Sequence, residues 1–537
     1  MNITVQQNGD RPETADSNDT WVLVPDNWND FGYLTLYELF YVDQGELVAL
    51  GGIKIMRKAQ QPGMRTLPVG SVGHQLPDDC CSLGSSLDFY ASIVRKFGRT
   101  KAQEVLESFR DAATDAQRRN TFFGLTAFRK SLHRDRADAT RFYEDVAAIF
   151  EAGGGPPDRS FFEFGYVAHP EADPISFRFG QVRQPPRMMF RRLPPFSGPT
   201  PKEISRRSVV LVGANGVGKT TLLAKLARLA YTPAGERKAS SEDGALTRSP
   251  AFPSIVAVAY SAFDTFLPPT LEGDDVDALA DQMDKGNGRY VYCGMRDLAH
   301  RIRNPDAPHK LKTIDDLAYV FADKLQRLRD LSRIKLFSDA MVPVLDEIEL
   351  RKGLSSQQGE TPPSSVDRLE AFLGSDPVAV FQTLSSGHKI VLHLLASLTA
   401  SLRLRGLALI DEPETHLHPP LLAALMAGLR TVLDGLESYA IIASHSPIVA
   451  QETLASQIIV MEGNGVTRGP SIQTFGENIG ALTREIFGLH TDATGYRTIL
   501  DRMARHYKTI EAVEDAMREP LSGQAVAHLM AALPESE

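Results

Sequence analysis

The stretch Gly213-Ala-Asn-Gly-Val-Gly-Lys-Thr-Thr221 follows an apolar run at 209–212 and precedes a helix-forming run at 222–226. A strand, a glycine-rich loop and a helix in this order form a cradle for a phosphate group, because glycines let successive backbone N–H groups point inward at the anion. A Gly-rich turn that binds no ligand is the alternative. The residues expected to bind a nucleotide are Gly213, Asn215, Gly216, Gly218, Lys219, Thr220 and Thr221.

Side chains in two places indicate nucleotide chemistry rather than general anion binding. Lys219 would place a positive charge on the β- and γ-phosphates, and the Thr220 hydroxyl would ligate Mg²⁺. A second apolar run, at 407–410, ends in Asp411 and Glu412. We expect Asp411 to hold Mg²⁺ and Glu412 to activate the attacking water as general base. The alternative for this pair of carboxylates is a cap on the next helix.

A histidine follows the next predicted strand, which covers 440–443. In Ser444-His445-Ser446-Pro447, the His445 side chain is expected to hydrogen-bond the γ-phosphate and so respond to its presence. A buried histidine with satisfied hydrogen bonds is the alternative. His445 and Glu412 are therefore the predicted catalytic residues.

A second predicted anion site opens a helix before the two carboxylates. In Leu384-Ser385-Ser386-Gly387-His388-Lys389, the serine hydroxyls and the N–H of Gly387 lie where a helix N-terminus favours an anion. One chain cannot easily bring this site and the glycine-rich loop to the same γ-phosphate. We therefore expect the second site to come from another protomer.

Composition narrows the class of protein. The chain has 537 residues, enough for two or three domains, and its formal net charge of −9 argues against a uniformly basic nucleic-acid coat. A local basic groove stays possible, although a solvated loop is the simpler interpretation of the arginines at 187–207. Three cysteines without a C-x-x-C pair fit a reducing interior, and no apolar stretch is long enough to cross a membrane. We expect a cytoplasmic protein without a signal peptide.

The sequence pattern predicts an α/β protein with four regions. Residues 1–20 are expected to be a disordered lead-in, and 21–157 an α+β region that ends at the Gly- and Pro-rich break after residue 151. Residues 158–480 alternate strands and helices as a mostly parallel sheet does, whereas the alternation of apolar and polar residues at 21–55 predicts antiparallel strands. The domain at 158–480 contains a mobile insertion at 231–254 and a helical insertion at 296–376. Residues 481–537 are a helical tail, whose amphipathic face packs on its own core or on a partner.

The order of these motifs resembles that of the ABC-type ATPase superfamily: a Walker A loop, a Leu-Ser-Ser-Gly signature, a Walker B pair and a switch histidine. The resemblance implies an ABC-ATPase head with ATP and Mg²⁺ as cofactors, and a head-to-tail dimer in which two nucleotides are sandwiched. Lys219 and Thr220 of one subunit would face Ser385 and Gly387 of the other. This chain departs from the pattern at His388, where Gln or Glu is common. No glutamine of a Q-loop follows 255–260, where Ser261 and Asp264 are the candidates.

The loop Asp411-Glu-Pro-Glu-Thr-His-Leu-His-Pro419 is similar to that of the RecF, SMC and overcoming-lysogenization-defect ATPases. In that context His416 and His418 belong to the D-loop and the helix start rather than to a metal site. Some relatives carry a metal-dependent nuclease domain, but the residues after His445 contain no D-x-D pair in a suitable context. Nuclease activity in this chain is therefore not expected.

Motifs outside the core resemble the PtuA ATPase subunit of Septu-type and retron-linked anti-phage systems. They are Trp28-Asn-Asp-Phe-Gly-Tyr33, Gly51-Gly-Ile-Lys-Ile55, Ser82-Leu-Gly84, Phe475-Gly-Glu-Asn478 and Phe487-Gly488. The resemblance implies a homodimer or larger homo-oligomer that controls an HNH-type nuclease subunit, with a retron reverse transcriptase and its RNA–DNA as a further partner. Two alternatives stay open: a RecF-like repair ATPase that clamps DNA itself, and a nucleotide-gated scaffold with negligible turnover.

Overall fold

The computed structural model describes most of the chain. The described residues are 2–6, 20–25, 33–43, 46–133, 139–154, 161–180, 205–232, 242–247, 252–261, 264–267, 276–286, 288–304, 306, 310–331, 333–351, 363–463, 465–487 and 495–532. The Trp28 motif lies mainly outside them, as do Gly488 and the arginines at 187–192.

The strands and helices are numbered in chain order. The strands are β1 Asn2–Val5, β2 Thr20–Pro25, β3 Leu36–Asp43, β4 Glu46–Arg57, β5 Gly70–Gly73, β6 Cys80–Gly84, β7 Phe161–Val167, β8 Ile175–Gly180, β9 Ser208–Val212, β10 Ala245–Thr247, β11 Ile255–Ala259, β12 Tyr290–Gly294, β13 Leu407–Asp411, β14 Tyr439–Ser444, β15 Ile458–Gly463 and β16 Val466–Arg468. The α-helices are α1 Leu87–Ser108, α2 Ala116–Phe122, α3 Ala139–Glu151, α4 Lys219–Tyr231, α5 Val276–Lys285, α6 Leu298–Arg303, α7 Ile314–Asp330, α8 Ile334–Arg351, α9 Ser365–Leu373, α10 Pro377–Thr383, α11 Ser386–Ser401, α12 Pro419–Gly435, α13 Pro447–Gln451, α14 Ile479–Phe487, α15 Gly495–His506, α16 Ile510–Met517 and α17 Gly523–Ala532.

A seven-stranded sheet is the centre of the fold, in the order β12-β11-β13-β14-β9-β15-β16. All neighbouring strands in it are parallel except β15 and β16. The strand β9 is apolar at successive positions because both of its faces are covered: Val209 and Leu211 pack with α4, whereas Val210 and Val212 pack with α11 and α12. A three-stranded antiparallel sheet, β10-β7-β8, packs on the α4 side. The predicted α/β fold class is confirmed.

The N-terminal region contains a six-stranded mixed sheet in the order β5-β1-β2-β3-β4-β6. The prediction of a disordered lead-in is wrong for residues 2–5 and for Thr20, which form β1 and the start of β2. Ile3 and Val5 are buried, and β1 runs parallel to β2. Local composition could not reveal this pairing because the partner strand follows a long polar segment. Residues 7–19 of the predicted lead-in lie outside the described residues.

Where the structure describes them, both predicted insertions pack against the rest of the fold. The prediction of a mobile segment at 231–254 is wrong for its described part: β10 pairs with β7, and Arg228 donates two hydrogen bonds to Asp243 at 2.6 and 2.7 Å. Residues 233–241 and 248–251 lie outside the described residues. The described residues at 296–376 are mainly helical, and α7 and α8 pack on α11 and α12 in the main core.

The C-terminal helices have a core of their own. Leu500, Ala504, Val513 and Leu529 are buried together. The amphipathic pattern predicted at 499–517 is divided between α15 and α16, because Thr509 caps the start of α16. Among the described helices, none combines the length and apolar character that crossing a lipid bilayer requires.

Candidate functional site

Strand register brings the predicted motifs to one edge of the central sheet. Asp411 pairs with Ala443, and Ser444 pairs with Val212, so three strands end side by side. The phosphate loop, His445 and the two carboxylates after residue 410 therefore all leave the sheet at the carboxyl ends of parallel strands, where ligands of open α/β sheets bind.

Glycine is required in the phosphate loop for two different reasons. Gly216 and Gly218 have φ angles of +84° and +94°, which side chains rarely adopt. A Cβ on Gly213 would lie 2.4 Å from the carbonyl oxygen of Met461 on β15. Lys219 is only 5% exposed, and its ammonium donates to the carbonyls of Gly213 and Ala214 at 2.9 and 3.1 Å. Burial lowers its pKa. The loop thus already wraps around the Lys219 ammonium, the positive charge that a phosphate-binding loop needs.

Thr220 and Asp411 form the predicted Mg²⁺ pair. The Thr220 hydroxyl lies 2.9 Å from each carboxylate oxygen of Asp411. Burial raises the pKa of Asp411 to about 7, the Thr220 hydrogen bond opposes this shift, and the charge of Glu412 adds to it. Hydroxyl and carboxylate oxygens are the hard ligands that Mg²⁺ prefers. The donor set therefore fits the cation that the sequence predicts.

Glu412 and His445 are in contact. His445 Nδ1 lies 2.9 Å from Glu412 Oε2, and both side chains are partly exposed, at 44% and 27%. Glu412 has a φ of +47°, although its backbone N–H still donates to the Ala443 carbonyl. This left-handed residue turns the chain sharply at the end of β13. An acceptor carboxylate and an imidazole therefore meet next to Asp411, and a carboxylate in such a position can act as a general base.

Glu414 is a residue of this site that the sequence motifs did not reveal. Its Oε1 accepts from the Ser444 hydroxyl at 2.8 Å and from the His445 backbone N–H at 2.7 Å, and lies 3.2 Å from His445 Nδ1. Its Oε2 is buried and has no hydrogen-bond partner among the described residues, and burial raises the pKa of the carboxyl. The signal in the sequence is its position two residues after Glu412. Glu414 fixes the backbone on which His445 is presented.

Within the described part of the chain, one group of acidic and histidine side chains is compact enough to hold a metal ion. It consists of Glu412, Glu414 and His445, whose ligand atoms lie within 4.8 Å of one another. Hydrogen bonding through His445 accounts for the proximity of these three side chains. His416 and His418 are outside this group.

The signature segment is partly exposed. Ser385 and Ser386 are exposed at the start of α11, and the Ser385 hydroxyl accepts a 3.4 Å hydrogen bond from the His388 backbone N–H. Gly387 is buried, and a Cβ on it would lie 3.0 Å from the His416 carbonyl oxygen. In the described residues, no hydrogen bond joins this segment to the loop at 213–221. Asn215 and Thr221 are likewise exposed.

Asp264, a candidate for the Q-loop role, is committed to structural contacts. Its carboxylate accepts from the Tyr292 hydroxyl at 2.7 Å and from Arg296 at 3.0 Å, and its side chain is fully buried. Its charge also contributes to the raised pKa of Asp411. These contacts show that Asp264 forms a buried ion pair with Arg296. The Q-loop assignment of Asp264 and Ser261 stays a prediction.

Comparison with known proteins supports the ATPase class. Residues 246–450 match a family model described as "AAA domain, putative AbiEii toxin, Type IV TA system". The match includes the signature segment, Asp411, Glu412 and His445 and begins after the phosphate loop. Together with the loop and sheet order, it supports a nucleotide-binding domain of the AAA/ABC ATPase type.

Two relatives extend this comparison. Protein ea59 of Escherichia phage lambda is 29% identical to this chain over 505 residues, which is 89% of this chain and 88% of that protein. Among solved structures, the crystal structure of the SmcHead bound to the C-winged helix domain of ScpA aligns with 13% sequence identity, over 59% of this chain and 98% of that chain. Its TM-score of 0.24 is too low to establish a shared fold.

We predict that Mg²⁺-dependent nucleotide binding strengthens as pH rises through about 7, because Mg²⁺ binds the ionised form of Asp411 and the pKa of this carboxyl is about 7. Between pH 6 and pH 8 the ionised fraction increases about tenfold, and so should the Mg²⁺-dependent part of the affinity. Titration of a fluorescent ATP analogue with and without EDTA measures that part. The Asp411→Asn variant should lose the dependence, and an unchanged slope in that variant would assign the effect to the nucleotide instead.

Proposed function

We propose that this chain is a Mg²⁺-dependent ATPase that dimerises around ATP. The observation that carries the proposal is the hydrogen-bonded pair of Thr220 and Asp411 beside the buried Lys219 ammonium, at the carboxyl edge of the sheet. Lys219 and the loop N–H groups would hold the phosphates, and Thr220 and Asp411 would hold Mg²⁺. Bound Mg²⁺ would supply charge neutralisation at the transferred phosphoryl group.

Glu412 would act as the general base of the reaction. Its carboxylate would accept a proton from the attacking water. His445 would give up its present contact with Glu412 and hydrogen-bond the γ-phosphate instead. Glu414 keeps the His445 backbone in place by accepting from its N–H and from the hydroxyl of the neighbouring Ser444. The exposed serines Ser385 and Ser386, with the N–H of the buried Gly387, would complete the site from a second copy of the chain.

A chain of contacts leads from His445 toward the C-terminal helices. His445 is followed by α13, whose last residue, Gln451, donates from its side chain to the Glu477 carbonyl at 2.7 Å. The Gly476 backbone N–H donates to the Gln451 carbonyl at 2.9 Å, and α14 begins at Ile479. A nucleotide-dependent movement of His445 would therefore be transmitted to α14 first.

We further infer that the nucleotide state of this dimer controls a partner nuclease of the HNH type in anti-phage defence, in the cytoplasm. The support is the sequence resemblance at the glycine motifs of the N-terminal region and at Phe475-Gly-Glu-Asn478, which is the segment that contacts α13. The family description names a toxin of a toxin–antitoxin system, and one relative is encoded by a phage. Such a partner class fits a chain in which we propose no nuclease site of its own.

The experiment is purification of the chain after co-expression with a small nuclease encoded beside it, with and without ATP. The expected result is co-purification, ATP-dependent dimerisation in light scattering, phosphate release, and nuclease activity that changes with the nucleotide. ATP binding without phosphate release would favour a nucleotide-gated scaffold. Tight, salt-sensitive DNA binding by the isolated chain would instead favour a RecF-like repair ATPase that clamps DNA itself. Arg207, in the predicted basic segment, already contacts Asp434 and Glu437 within the chain.

A further inference from the structure

The signature serine is linked through a histidine to a glutamate of the helical insertion. The Ser385 hydroxyl lies 2.7 Å from His388 Nδ1, and His388 Nε2 lies 2.9 Å from Glu347 Oε2 on α8. His388 and Glu347 are each 9% exposed, whereas Ser385 is exposed. His418, the N-cap of α12, lies 3.5 Å from the other carboxylate oxygen of Glu347. One buried carboxylate thus connects α8, the signature segment and the end of the D-loop.

The protonation of His388 determines what the Ser385 hydroxyl can do. A carboxylate is an acceptor only, so Glu347 requires a proton on Nε2 of His388. In a neutral imidazole Nδ1 is then an acceptor, and the single hydroxyl proton of Ser385 is donated to it. In an imidazolium Nδ1 carries a proton and donates to Ser385, which leaves the hydroxyl proton free. Only the second arrangement lets Ser385 donate to a phosphate oxygen.

We propose that Glu347 and His388 are positioning residues that control whether Ser385 can donate a hydrogen bond to the γ-phosphate bound by a second copy of this chain. The proposal rests on the proposed function, because it requires the signature segment to meet a nucleotide across a dimer. It assigns the helical insertion a direct influence on the site, since α8 supplies Glu347. Among the described residues, the charged and titratable groups around His388 include Glu347 from α8, which contacts it, and His418 from the start of α12, which contacts Glu347.

The test measures the dissociation constant of the ATP-bound dimer from pH 6 to pH 8.5, in the Glu412→Gln background to prevent hydrolysis. The dimer should be tighter when His388 Nδ1 donates to Ser385 and weaker when the serine proton is donated to Nδ1. Glu347→Gln removes the carboxylate that accepts from His388 Nε2, so the pH profile of the dimer should differ between this variant and its parent. At pH 7.5 the Glu347→Gln dimer should be about tenfold weaker, the usual effect of losing a hydrogen bond to a charged group. At each pH, ATP binding by the monomer should be the same in Glu347→Gln as in its parent.

His388→Asn is the matched control, because its amide can donate to Ser385 at every pH used. The pH dependence that separates wild type from Glu347→Gln should disappear in this variant, and adding Glu347→Gln should then weaken the dimer less than about twofold. His388→Gln repeats the control with a longer amide. An equal loss from Glu347→Gln in both backgrounds would show that Glu347 only supports the packing of α8, and would overturn the inference. Failure of the Glu412→Gln parent to dimerise with ATP would instead contradict the proposed function.

Discussion

Replacing Glu412 by glutamine should lower ATP turnover by at least about 100-fold while ATP binding is retained, since a positioned general base contributes rate factors of this size. Glutamine keeps the shape of the side chain but cannot accept the proton of the attacking water. The phosphate loop, Thr220 and Asp411 are unchanged, so nucleotide affinity should persist or increase. We expect the variant to accumulate as a closed, ATP-bound dimer, measured by phosphate release, retained nucleotide and light scattering.

The matched control for this variant is Glu511→Gln, the same isosteric change at an exposed position of α16. It should leave turnover and oligomeric state at wild-type values. Ordinary turnover in Glu412→Gln would contradict the assignment of the general base. It would direct attention to Glu414, the other carboxylate within hydrogen-bonding distance of His445.

The sequence predicted the parts of the site that depend on local pattern. The loop at 213–221, the carboxylates after residue 410 and His445 each follow an apolar run that became a buried strand. Parallel strands with both faces covered require such continuous runs, and their carboxyl ends meet at one edge. The local pattern was therefore sufficient to place each residue at the end of a strand, and the strand order brings these ends together.

The contacts that hold these residues in place were not visible in the sequence. Glu347 precedes His388 by 41 positions on a helix without a motif, so its contact with His388 depends on how α8 packs against α11. The role of Glu414 was not predicted, because the carboxylates Asp411 and Glu412 already accounted for the expected chemistry. Such contacts arise from tertiary packing, which local propensity and spacing do not determine.

Some glycine motifs that suggested a particular family have a packing explanation in the structure. A Cβ on Gly84 would lie 2.3 Å from the Phe89 ring and 2.7 Å from the Tyr90 ring. Gly51 has a φ of +107° in β4, beside a register shift in its pairing with β3. These glycines are needed by the N-terminal fold itself. A resemblance at these positions therefore supports a shared architecture more directly than a shared partner.

The largest effect should come from mixing two inactive variants, Lys219→Ala and Ser385→Ala, because the proposed site takes one residue from each copy. Each variant alone should have no intact site and should lose nearly all turnover. In a heterodimer, the loop of the Ser385→Ala chain meets the signature of the Lys219→Ala chain, and this one site is intact. With random pairing half of the dimers are mixed, so the equimolar mixture should recover about one quarter of wild-type turnover if the sites act independently.

The control mixture combines Lys219→Ala with the double variant that carries both changes. No pairing of these chains contains an intact site, so recovered turnover in this mixture would point to contamination or to residual activity. Recovery in the first mixture alone would mean that Ser385 acts on a nucleotide held by another chain. The exposure of Ser385, and the absence among the described residues of a hydrogen bond between it and the loop at 213–221, are the reasons to expect this outcome. If neither mixture recovers although both variants exchange subunits and bind the wild-type chain, the site is completed within one chain and the head-to-tail dimer is wrong.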